Sequence, residues 1–74
     1  MINIDRLPIG KAGKIVKVEG DARLTKRLSA LGCIPGTILQ VVRTAPFGDP
    51  LVVSFRGFSL AIRKKDASAI FVEL

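Results

Sequence analysis

Glycine and proline interrupt this chain too often for any long element to form. Seven glycines and four prolines are spread through 74 residues. Each such break ends a regular run, because proline lacks an amide donor and glycine favours turns. The apolar residues between the breaks recur in short stretches, most with a period of two, as expected of β-strands. The chain also has room for one core only. A compact domain takes about 50 residues or more, and a chain of this size buries roughly 60% of its extended surface. The sequence therefore predicts one domain over residues 1–74 and excludes two-lobed enzymes, doubly wound sheets and large internal pockets. It contains no low-complexity tract, linker or repeat.

Residues 1–13 read as a lead-in with turns at Pro8 and Gly10, and residues 14–19 as a short β-branched strand. Asp21 is placed to cap one helix, Ala22–Leu31, by accepting from its free amides and complementing the positive end of its dipole. Leu24, Leu28 and Leu31 then form one apolar stripe. Gly32 suits the left-handed position that ends a helix, and Pro35 prevents resumption. Residues 37–43, 51–56 and 58–63 read as strands, with Leu51, Val53 and Phe55 on one side of the second and Phe58, Leu60 and Ile62 inward on the third. Arg56-Gly57 between them predicts a tight hairpin that sets Phe55 near Phe58. Residues 64–68 suit a turn of helix and residues 70–74 a last strand. Leu24, Leu28, Leu31, Val53, Phe55, Leu60 and Ile62 are the expected core. The pattern predicts a small all-β fold: an SH3-like, partly open β-barrel of about five strands with one inserted α-helix, since closure removes edges that aggregate. An open α+β sheet is the competing architecture.

The chemistry on offer is sparse. Histidine, the commonest proton carrier near neutral pH, is absent. The six acids are scattered. The single cysteine, Cys33, cannot form an internal disulfide, which excludes a disulfide-stapled secreted scaffold. It follows a helix carboxyl end, where the dipole raises a thiol pKa, so it reads as a small buried hydrophobe. One thiol, no imidazole and isolated acids give little support to a metal site beyond a weak surface one through Asp or Glu, and no glycine-rich phosphate loop occurs. The sequence predicts no catalytic residues, no metal ligands and no cofactor.

Binding is better supported. Twelve basic against six acidic residues give a charge of +6, which favours anionic partners. Apolar residues make up 49% of the chain and glycine adds seven more residues, above the roughly 45–50% usual when glycine is counted with them. So small an interior cannot hide them all, and the excess predicts contact with a partner, with another copy of the chain, or with both. No membrane span explains it: a span needs about 20 apolar residues in a row, and the longest uncharged stretch, residues 28–42, is broken by Gly32, Pro35 and Gly36. The amino terminus carries Asp5 where a secretion signal has basic and then apolar residues, so the default compartment is the cytoplasm. Arg23, Lys26 and Arg27 share a helix face opposite the leucines. With Lys11, Lys14, Lys17 and Arg63-Lys64-Lys65 they could follow a phosphate backbone. Four phenylalanines and no tyrosine or tryptophan leave little to stack on bases or to line a proline-peptide groove, which makes nucleic acid an improbable partner. A small basic RNA-binding barrel of ribosomal type is the alternative, suggested by the opening Gly10–Val18 segment. The loop Ala45-Pro46-Phe47-Gly48-Asp49-Pro50 is stiffened by its prolines, and Phe47 at its tip either folds back on the barrel or anchors a partner.

Taken in order, Arg27-Leu28, Leu31-Gly32, Ile34-Pro35-Gly36-Thr37, Ala45-Pro46-Phe47-Gly48-Asp49-Pro50 and Leu60-Ala61-Ile62-Arg63-Lys64-Lys65-Asp66-Ala67 resemble the ferrous iron transport protein A (FeoA) family. The resemblance runs from Leu7 to Val72; Ile62 stands where the family often has leucine, and Cys33 at a usually aliphatic position. It implies an SH3-like cytoplasmic accessory protein of bacterial or archaeal ferrous iron uptake. The implied partner is the large membrane transporter, whose cytoplasmic part binds GTP. It implies no catalytic residue set. The same module occurs at the carboxyl end of metal-dependent repressors; with Met1 directly before the barrel, no DNA-reading domain is expected here. On that reading Arg23, Lys26 and Arg27 pair with acidic groups of the partner, and the loop residues Pro46, Phe47 and Asp49 make contact, with Phe47 as the anchor.

Overall fold

Asp21 is where the chain leaves the first long strand and turns into a helix. In the computed structural model, which describes residues 1–74, its Oδ1 accepts from the Leu24 amide at 2.8 Å. The helix α1 follows over Ala22–Leu31. At its other end Gly32 takes φ 90°, a conformation that costs a residue with a Cβ about 1 kcal/mol. There the Gly32 amide donates to the Ser29 carbonyl at 3.0 Å and the Cys33 amide to the Leu28 carbonyl at 2.9 Å. This is a Schellman closure, and the two residues it links across the helix end, Leu28 and Cys33, both belong to the buried core.

The strands are β1 (Ile2–Asn3), β2 (Ala12–Val18), β3 (Ile38–Thr44), β4 (Leu51–Phe55), β5 (Phe58–Ile62) and β6 (Ile70–Glu73), with a short helix α2 (Lys64–Ala67) before the last. They form one antiparallel sheet in the order β1-β6-β2-β3-β4-β5. Two register shifts bend it, one between Ile15 and Lys17 opposite β6, the other between Val41 and Arg43 opposite β4. Bulges of this kind increase twist and curl a sheet toward a barrel. The extra residues, Val16 and Val42, are both exposed. The two end strands, β1 and β5, do not pair with each other, so the barrel stays open. No helix is long and apolar enough to cross a membrane.

The SH3-like barrel with one inserted helix is the fold expected, and the helix bounds and the hairpin agree with the sequence. Arg56 and Gly57 have φ 50° and 81°, a primed two-residue turn, and the rings of Phe55 and Phe58 lie 6.5 Å apart. Other elements differ. Residues 1–13 are more than a lead-in. Ile2 and Asn3 pair with Val72 and Phe71, and a 3-10 turn over Ile4–Arg6 buries Ile4 completely. The sheet therefore has six strands, and the first long one starts at Ala12. The core also differs in part. Leu28, Val53, Phe55 and Ile62 lie within its fourteen buried residues, whereas Leu24 and Leu60 only pack against it. Leu31 is 44% exposed and Phe58 63% exposed. The reason is geometric. Leu28 is the only buried residue of α1, so the leucine stripe overhangs the sheet at both ends. β5 is an edge strand whose inner face is fully covered at Ile62, half covered at Leu60 and bare at Phe58.

Cys33 is 1% exposed, the buried hydrophobe the sequence predicts. Burial pushes its thiol up from the ordinary 9.0 by desolvating the charged form, and the direction is the one expected from the sequence. The closest approach in the sheet is at Gly13. A Cβ there would lie 2.8 Å from Val72 Cγ2 and 2.9 Å from Val72 Cβ, atoms that a stiff β-branched side chain cannot move aside.

Gly13→Ala is expected to cost about 1–3 kcal/mol through overpacking, and each kcal/mol lowers the melting temperature of so small a domain by about 4–8 °C; a thermal melt followed by circular dichroism measures it. A buried, protonated thiol reacts slowly, so Cys33 should resist an aromatic disulfide reagent at neutral pH and react rapidly once the chain is unfolded in guanidinium. Rapid native-state reaction would contradict its burial.

Candidate functional site

The side chains singled out from the sequence lie on two elements joined by a third. Arg23, Lys26 and Arg27 project from the exposed part of α1. Arg23 and Arg27, with Asp21, Leu24, Lys65 and Asp66, line a shallow cleft of about 300 Å³ between α1 and α2; Lys26 lies outside it. Arg27 Nη2 stands 3.9 Å from Asp66 Oδ2, with the arginine side chain 62% exposed. At that distance and exposure the pair contributes little, and Arg27 can exchange it for a partner's carboxylate. The cleft holds three cations and two acids.

The second element is the loop between β3 and β4. It is closed at its base by the Ala45 amide, which donates to the Pro50 carbonyl at 3.0 Å, and across its turn by Gly48 donating to Ala45 at 2.8 Å. Pro46 starts a 3-10 turn there, and Phe47 follows at φ 70°, ψ 11°. A non-glycine residue in the left-handed region carries roughly 1–2 kcal/mol of strain. Phe47 is also fully exposed, at 104% of its reference surface. Of the two conformations open to it on sequence grounds, the structure has the outward one. An apolar ring held at the tip of a closed loop gains nothing from this fold, and the arrangement suits it to burial in something else.

Asp49 has an internal role besides. Its Oδ1 accepts from the Lys64 amide at 3.0 Å, tying the loop to the start of α2. Since α2 also carries Lys65 and Asp66 of the cleft, it is the bridge between the loop and the cationic helix face. The sequence names Lys65 only within the basic run 63–65, and it does not single out Asp66 as a site residue. The signal was present, since the basic run 63–65 adjoins Asp66, but only the fold turns it toward α1. Two further hollows border β5. One, of about 190 Å³, is lined by Ala30 and Leu31 of α1 and by Phe55, Phe58, Ser59 and Leu60 of the hairpin. The other lies between Asp49, Pro50, Ala61 and Arg63.

The other polar and reactive groups are enclosed, dispersed or paired. Cys33 is buried and protonated. No three Cys, Asp or Glu side chains converge where they could hold a metal ion. Of the lysines on β2, Lys17 is already engaged, 3.3 Å from Glu19 and 4.9 Å from the centre of the Phe71 ring. The surface can bind by charge and by apolar contact.

Comparison with known proteins agrees with this geometry. The FeoA domain model matches residues 2–74. An Fe(2+) transport protein A/Fe(2+) transporter FeoB fusion protein of Porphyromonas gingivalis is 33% identical over 73 residues, which is 99% of this chain and 9% of the fusion protein. The chain thus spans about a tenth of the length of that curated relative. The solution structure of the FeoA protein of Chlorobium tepidum superposes with a TM-score of 0.94 at 32% identity, over 99% of this chain and 70% of that one. The crystal structure of Stenotrophomonas maltophilia FeoA with zinc, described as a prokaryotic SH3 domain protein, superposes with a TM-score of 0.86 over 99% of this chain and 91% of that one. At 23% identity that last likeness bears on the fold alone. With its SH3-like barrel, its ordered series of motifs and a family match over nearly its whole length, the chain belongs to the FeoA domain family.

Proposed function

We propose that this chain, acting as one barrel over residues 1–74, is a non-catalytic accessory protein of ferrous iron uptake. It works in the cytoplasm by docking onto the GTP-binding part of the membrane iron transporter. The observation that carries the reading is the fusion protein, in which a segment 33% identical to this chain is joined covalently to a FeoB transporter. A tether raises the effective concentration of two modules that must meet, often to the millimolar range.

The geometry supports the mode. Phe47 is the apolar anchor, held outward so that little conformational entropy is lost on binding. Pro46 keeps the loop stiff, and Asp49 fixes the loop against α2. Arg23, Lys26 and Arg27 form the charged part of the same interface, where guanidinium groups take carboxylates in bidentate fashion and steer the encounter. The absence of histidine and the protonated, buried thiol support an accessory and not a catalytic role.

Phe47→Ala should weaken binding to the transporter's cytoplasmic part about tenfold or more, measured by titration calorimetry, while the melting temperature stays within about 2 °C because an exposed side chain has no core to vacate. A melting temperature several degrees lower would make Phe47 structural. Reversing charge with Arg23→Glu and Lys26→Glu together should slow association and remove most of its salt dependence, read by stopped-flow. Tight RNA binding that falls by orders of magnitude from low to moderate salt, with no transporter binding, would overturn the reading in favour of a nucleic-acid barrel.

A further inference from the structure

We propose that the free edge of β5, with the apolar groove beside it, receives an extended acidic segment of a partner protein as an additional strand. The proposal rests on the docking reading above and specifies a mode of contact which that reading leaves open.

The hairpin register identifies the free backbone groups. Across the two-residue turn Phe55 faces Phe58, and the ladder continues with Val53 opposite Leu60 and Leu51 opposite Ile62. In such a hairpin the pair flanking the turn exchanges both hydrogen bonds, and bonded pairs then alternate with unbonded ones. Phe58, Leu60 and Ile62 therefore spend their amides and carbonyls on β4, while Ser59 and Ala61 turn theirs outward. Neither Ser59 nor Ala61 takes part in any hydrogen bond outside the ladder. Edge strands are usually protected by proline, a bulge or a charge. The Phe-Ser-Leu-Ala-Ile sequence of β5 has no proline and no charge, and its pairing with β4 has no register shift. A strand of this length offers about 17 Å of template.

Beside this edge lies the groove of about 190 Å³ between α1 and the hairpin. Its walls include Leu31 and Phe58, both exposed. Strand addition uses main-chain bonds for affinity and pockets for alternate side chains for selectivity, and this edge has both.

Charge decides the occupant. Helix α1 carries Arg23, Lys26 and Arg27 and no acid, and residues 51–65 carry Arg56, Arg63, Lys64 and Lys65 and no acid. Of the nearby acids, Asp21 caps α1 and Asp49 holds the Lys64 amide, while Asp66 stands 3.9 Å from Arg27. A second copy paired antiparallel through β5 would set each Arg56 beside the other's Arg63 and Lys64, a like-charge arrangement that is destabilising. An acidic strand with apolar residues at alternate positions meets the groove and the cations together. The far end of β5 also leads to the loop, because Ala61 and Arg63 share a hollow with Asp49 and Pro50. One partner can thus touch the edge and the loop at once.

The test is a titration of the isotopically labelled full chain with a blocked seven-residue peptide of alternating glutamate and valine, followed by amide resonances. Saturable shifts at Ser59 and Ala61 are expected, with slowed exchange of both amides. Replacing the peptide's glutamates with lysine should abolish them. Ala61→Pro removes one outward donor without breaking a ladder bond, and Leu31→Asp places a negative charge in the groove without touching the strand. Each should weaken peptide binding about tenfold or more with the hairpin resonances otherwise unmoved. No shift at Ser59 and Ala61 at millimolar peptide, equal binding of the lysine peptide, or shifts that depend on the concentration of the chain alone would overturn the proposal, the last assigning the edge to a second copy. A chain that binds the transporter through Phe47 but ignores the peptide keeps the docking function and loses the edge site. A chain that takes the peptide but not the transporter keeps the edge site and loses the named partner.

Discussion

Insertion of the last strand between the first two holds this molecule together. β6 pairs with β1 on one side and with β2 on the other, so the carboxyl end of the chain is clamped by its amino end. Ile4, Ile15, Ile70 and Val72, all at most 1% exposed, meet around this seam. The seam is tight enough that Gly13 has no room for a Cβ beside Val72. The connection after α1 is fastened to the same place, since the Ile15 amide donates to the Thr37 carbonyl and the Gly36 amide to the Ile15 carbonyl, each at 2.8 Å. Thr37, the buried polar residue of that connection, is satisfied by the Gly32 carbonyl at 3.1 Å. Because contacts this distant in sequence must form before the core is closed, folding of such a sheet is slow relative to helical domains of similar size.

Once the seam is closed, the opposite side of the sheet is left partly bare. The helix is secured by its caps and by one buried leucine, and the β4–β5 hairpin hangs at the far edge. The same openness that spares β5 a neighbour exposes Phe58, Leu31 and the backbone of Ser59 and Ala61. A fully closed barrel would hide them. The apolar surplus noted in the composition is accounted for by these side chains together with Phe47, Ile38 and Ile9, all exposed. The docking proposed above and the incomplete closure are two sides of one arrangement: groups that the fold leaves unsatisfied are available for a partner to satisfy.

Much of the fold is legible in local chemistry. The bounds of α1 follow from Asp21 and Gly32, residues whose capping roles depend only on neighbours within one turn. The hairpin follows from Arg56-Gly57, and the Phe55–Phe58 contact follows from the hairpin. By contrast β1 is two residues long and has no periodicity to read; it exists only because β6 is beside it. Leu31 and Phe58 carry the same pattern signal as Leu28 and Ile62, and differ only in whether another element lies over them. In the candidate site, Arg23, Arg27 and Phe47 could be named from the sequence, while the bridging part played by α2, and Asp49's bond to it, required the chain to be folded.

What the sequence determined by itself was the set of elements whose causes lie within a few residues: the capped helix, the primed turn, the stiff loop, the basic helix face and the poverty of catalytic groups. Only the tertiary structure decided which apolar side chains are core and which are surface, which strand has a free edge, and which cations share a cleft. The physical reason is that burial, edge pairing and charge proximity belong to pairs of residues far apart in the chain, and periodicity within one segment carries no information about what packs against it.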